Sequence, residues 1–83
     1  MTLGPKMKEY LAAAAKVGRE RGEIFPLEDV NGCVQWEDME CDRIAAALEK
    51  EGLLSRLPNG EAILTTAGIR MAESLYEGGS HST

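Results

Sequence analysis

The chain has 83 residues, enough for one small domain with a single core and too few for a second. Apolar residues make up 43% of it and aromatics only 5%, so Ala, Leu, Ile and Met must supply most of the packing, which favours helices over a β-sandwich. The net charge of −5 is unevenly placed: residues 1–22 carry +3 and residues 37–51 carry −4, which counts against a phosphate-binding surface on the second stretch.

Pro5 suits the first turn of a helix, where its missing N–H is no loss, and Gly22 suits the stop. Between them Met7, Tyr10, Leu11, Ala14, Val17 and Gly18 recur at three- and four-residue steps and form one inward stripe, with Lys8, Lys16 and Arg19 on the solvent side. Residues 23–26 read as a short extended piece. Residues 27–31 read as a short second helix, with Glu28 and Asp29 near its positive end. Residues 32–36 form a turn, in which Cys33, Val34, Gln35 and Trp36 could equally be extended.

A third helix starts near Asp38, a good N-cap, and closes at Gly52, which can take the left-handed conformation. Its inward stripe is Cys41, Ile44, Ala45 and Leu48. Residues 53–57 and 61–64 then pair across Pro58-Asn59-Gly60, a type I turn composition with glycine able to hold a bulge. Thr65 or Thr66 caps a fourth helix, whose Gly68, Ile69, Ala72, Leu75 and Tyr76 return to the core. The domain is expected to span residues 1–76, with a disordered tail over 77–83. The expected fold class is mainly α with a small β-hairpin.

The second half carries a motif. A helix ending in Leu48, three residues, then Gly52-Leu53-Leu54 leads into a hairpin whose second strand ends in Leu64-Thr65, two residues, then Gly68. This order resembles the winged helix-turn-helix superfamily of bacterial transcription regulators, in which the hairpin is the wing and the third helix is the recognition helix. The resemblance implies a regulatory protein that binds duplex DNA.

About one hundred degrees per residue separates successive side chains on a helix, which puts Met39, Arg43, Ala46, Ala47 and Lys50 on the outer face of the third helix. Gln35 and Trp36 lead into that face and Arg56 stands on the wing. Arg43 is the best candidate to read a base edge, because guanidinium matches the paired acceptors of guanine. Glu37, Asp38, Glu40 and Asp42 beside it repel phosphate. The alternative is a protein-interaction module or homodimer using the same face, where Met39, Ala46 and Ala47 offer adaptable apolar contacts that Trp36 would widen.

No catalytic constellation is legible. The single histidine, His81, lies in the polar tail, no nucleophile elbow or phosphate-cradling loop occurs, and the acidic residues fall on outward faces, so the chain is read as non-enzymatic and without a cofactor. Cys33 and Cys41 are too few for a disulfide framework or a zinc site, and are expected as reduced, metal-free thiols. No run approaches the ~20 apolar residues a bilayer crossing takes, and the N-terminus lacks a signal-type apolar region. A soluble, cytoplasmic protein without a membrane partner is expected.

Overall fold

The computed structural model describes residues 3–80, with side chains through residue 75. Within them the order is α1 (Pro5–Arg21), β1 (Phe25–Pro26), α2 (Leu27–Cys33), α3 (Asp38–Lys50), β2 (Leu54–Arg56), β3 (Glu61–Leu64) and α4 (Thr66–Ser80). The chain is therefore mainly helical with one small antiparallel sheet of order β1-β3-β2.

Helix α1 is started by Pro5 and stopped by Gly22, whose φ of 116° lies where a β-carbon is disfavoured and whose N–H donates to the Gly18 carbonyl. Its buried face is Tyr10, Leu11, Ala14, Ala15 and Val17, with Met7 half-buried at the edge. Helix α2 continues two residues past its expected end at Asn31, through Gly32. Val30 buries completely, and Asn31 is held by the Tyr10 hydroxyl, which donates to Asn31 Oδ1 at 2.6 Å. Val34 beyond it is extended.

In α3 the buried stripe is Cys41, Ile44, Ala45 and Leu48, the inward face that the periodicity indicates. The cap differs from expectation. Glu37 occupies the N-cap without a side-chain capping bond, and Asp38 is the first helical residue. There, with Glu40, its charge stabilises the helix through the dipole rather than by bonding an orphan N–H.

Gly52, at φ 77°, turns the chain back along α3 into β2. The hairpin pairs Leu54 with Leu64, Ser55 with Ile63 and Arg56 with Ala62. Gly60, at φ 86°, and the Leu57–Glu61 backbone bond of 2.7 Å close its tip. The third strand, β1, pairs Phe25 with Ala62 and Pro26 with Glu61, and Pro26 sits on a sheet edge where a missing N–H is tolerated.

Thr65 caps α4, its hydroxyl accepting from the Gly68 N–H at 3.0 Å while donating to the Gly52 carbonyl at 2.6 Å. One side chain thus joins the start of α4 to the turn that ends α3. The core side of α4 is Gly68 and Ala72, flanked by Met71 and Leu75. Ile69, expected in the core, is 46% exposed, because it lies about a hundred degrees around the helix from Gly68. The helix runs to Ser80, so the backbone of residues 77–80 continues it where the tail was expected to begin. Residues 81–83, with His81, and the side chain of Tyr76 lie outside the described residues. Among the described residues no helix is long and apolar enough to cross a membrane.

Candidate interaction face on helix α3

Helix α3 packs one side on α1 and the hairpin and leaves the other to solvent. Met39 stands furthest out, at 83% exposure, the largest value for a big apolar side chain in the described residues. Arg43 and Lys50, one heptad apart, are exposed on the same helix. Ala46 and Ala47 are half-buried, so they form the shoulder of the face rather than its crest. Gln35 is exposed just before the helix.

Trp36 does not widen the patch. It is half-buried against the core, stacked on Tyr10 with ring centroids 6.0 Å apart and planes 20° apart, and Lys6 Nζ lies 5.5 Å above its ring. Lys6 is held there by Glu40 at 2.7 Å. Burial pushes the Tyr10 hydroxyl up to about 12, reinforced by the nearby Cys41, so Tyr10 is a neutral hydrogen-bond donor and not an acid for chemistry.

Both arginines assigned to nucleic acid are already engaged. Arg43 reaches back one turn to Glu40, with Nη2 2.8 Å from each carboxylate oxygen and Nε 3.3 Å from Oε1. Arg56 donates through Nε to Glu49 at 3.1 Å and through Nη1 to Asp42 at 2.9 Å, while its backbone N–H donates to Glu49 at 3.2 Å. The hairpin is thereby clasped to α3 by one side chain. Bonds from Arg43, then Lys6, hold the Glu40 carboxyl below its ordinary range. Bonds from the Arg56 backbone and then its guanidinium do the same for Glu49. These carboxylates are ionised hydrogen-bond acceptors, not proton donors at neutral pH.

Sequence reasoning missed the clasp although a signal was present. Asp42, Glu49 and Arg56 follow at steps of seven, and a strand turned back at Gly52 returns residue 56 alongside residue 49. The Lys6–Glu40 pair spans 34 residues and left no local trace.

Cys41 is buried in the core and Cys33 is exposed at the end of α2, both as free thiols. Among the described residues no three His, Cys, Asp or Glu side chains gather as metal ligands could. In comparison with known proteins, no family model matches the chain and no curated protein matches it.

Proposed function

We propose that the chain is a non-enzymatic winged-helix module whose outer α3 face, centred on Met39, holds a protein partner. The winged-helix part of this reading rests on element order: α2, a turn, an exposed α3, a hairpin and a capped α4, with β1 as a third strand. The protein partner is supported chiefly by the engagement of Arg43 and Arg56. A guanidinium already forked onto carboxylates must give up charge-assisted bonds before it reaches phosphate, and the carboxylates that remain repel the backbone. Glu37, Asp38 and Asp42 keep the approach to the face acidic. An exposed methionine ringed by acids fits a partner with an apolar socket and a basic rim.

Duplex DNA is the second reading, favoured by the exposed alignment of Arg43 and Lys50 on the helix that winged-helix regulators use for recognition. Salt titration separates the two, since phosphate contact makes affinity fall steeply with salt and an apolar contact does not. Random duplex DNA titrated with the intact chain is expected to bind weakly with a shallow salt slope. A protein partner bound by the wild type should be lost when Met39 becomes glutamate. A steep slope abolished by alanine at Arg43, Lys50 and Arg56 would reverse the order.

A further inference from the structure

Exposed apolar side chains gather at one other place. Of the three large ones that stand into solvent among the described residues, Ile24 at 52% and Ile69 at 46% belong to neither α3 nor its surroundings. Ile69 lines a cleft where α1, the end of β3 and the start of α4 meet, and Ile24 lies in the chain between two other lining residues, Glu23 and Phe25. Phe25 and Ala72, both buried, give the cleft an apolar floor. At about 240 Å³ it is below the roughly 300 to 1,000 Å³ of small-molecule sites. It also lacks their convergent buried polar groups, since no polar or charged side chain among the described residues is buried. A recess of this size and lining suits one anchor side chain of another protein.

The rim decides the chemistry of that protein. Arg19, Glu23 and Glu73 are the charged residues that line the cleft, and Arg19 already takes part in an interaction within the chain. What the rim offers a partner is therefore the two exposed carboxylates of Glu23 and Glu73. Phosphate, whether of nucleic acid or of a lipid surface, is repelled by them. A two-fold dimer through the cleft would set both glutamates against the same two residues of the other copy, and like charges so placed oppose association. Lysine or arginine beside an apolar anchor complements both rim and floor. We propose that the cleft between α1 and α4 docks a basic segment of a different protein, with a bulky apolar side chain packed on Ile69, Phe25 and Ala72 and flanking cations on Glu23 and Glu73. The site lies apart from α3, so it is independent of what α3 binds.

The test uses two synthetic peptides, one with a phenylalanine between lysines and one with the lysines replaced by glutamates, each titrated into the intact isotope-labelled chain. The lysine peptide is expected to bind and to shift the amide resonances of Phe25, Ile69 and Ala72, and the glutamate peptide is expected not to. Ile69→Glu, on a side chain already half in solvent, should weaken the lysine peptide at least about tenfold with an unchanged circular dichroism spectrum. Glu23→Lys with Glu73→Lys should turn the preference towards the glutamate peptide, which loss of a merely structural role would not do. Should Ile69→Glu fold poorly, this exchange at two exposed positions decides alone. Met39→Glu should leave binding unchanged. No binding by the lysine peptide, shifts confined to α3, or an affinity indifferent to the charge exchange would overturn the proposal. So would sedimentation of the wild type as a dimer that Ile69→Glu breaks, since a second copy would then cover the cleft.

Discussion

Gly68 lies directly against the Leu53 carbonyl: a β-carbon built on Gly68 would overlap that oxygen and approach the carbonyl carbon to 2.9 Å. The same carbonyl accepts from the Thr65 N–H at 3.2 Å, so it cannot swing away without loosening the start of α4. The glycine of the Leu-Thr-x-x-Gly motif is thus required by backbone packing between the hairpin entrance and α4.

Gly68→Ala is therefore expected to destabilise the fold despite the better helix propensity of alanine. The propensity advantage is about 1 kcal/mol, whereas overpacking against a fixed neighbour costs about 1 to 3 kcal/mol, and here the neighbour is backbone. A fall of several degrees in melting temperature should result. Gly32→Ala is the control, because Gly32 is helical and nothing lies within 4 Å of the point where a β-carbon would stand; it should be neutral or slightly stabilising. Equal effects at the two sites would refute the packing argument.

Thr65 should show a loss separable by chemistry. Thr65→Val keeps the shape and removes both the cap to Gly68 and the bond to the Gly52 carbonyl, for an expected cost of about 1 to 2 kcal/mol in urea denaturation. Thr65→Ser keeps the hydroxyl and should recover most of it. Serine behaving like valine would mean that the hydroxyl is not what holds α4.

Stability should fall on acidification through Glu40 and Glu49. Their folded pKa values lie below the ordinary 4.5, through Arg43 and Lys6 for Glu40 and through Arg56 for Glu49. A depressed folded value contributes stability that is present above the unfolded pKa and lost as pH drops through the folded one. The denaturant midpoint should decline from about pH 4.5 downward, and the decline should be flatter with Glu40→Gln and Glu49→Gln combined. An unchanged acid limb in that variant would remove these pairs as its cause. Tyr10 acts at the other extreme: its raised value makes its contribution complete below about pH 10 and lost as pH climbs through about 12.

Local chemistry made much of this fold legible. Cys41, Ile44, Ala45 and Leu48 repeat at helical spacing, and Gly22, Gly52 and Gly60 mark reversals because each occupies a positive φ. What escaped depended on partners across space. Periodicity could suggest that Arg43 and Arg56 lie outside the core, but not that Glu40, Glu49 and Asp42 would engage them. Nor could it show that Lys6 and Tyr10 would both pack on Trp36. Ile69 stands outside the core it was expected to join because a stripe of four or five apolar residues leaves its own edge undefined, and the glycine contact with Leu53 sets where the centre falls.

The carboxylates themselves can be used to test whether α3 avoids DNA. If Glu40 and Asp42 are what withhold Arg43 and Arg56, replacing them with Gln and Asn removes two negative charges and frees guanidinium donors on the same face. Each further phosphate neutralised adds about −0.9 to the slope of log affinity against log salt. The double variant should therefore bind random duplex DNA more tightly and with a steeper slope than the wild type, and Arg43→Ala in that background should reverse part of the increase. Glu49 remains to hold the hairpin through the Arg56 backbone and Nε, so the fold should persist. If the double variant binds no better than the wild type, the engaged arginines are not what keeps this face from DNA. If the wild type already binds with a steep slope that alanine at Arg43 removes, the face reads nucleic acid in spite of its acids.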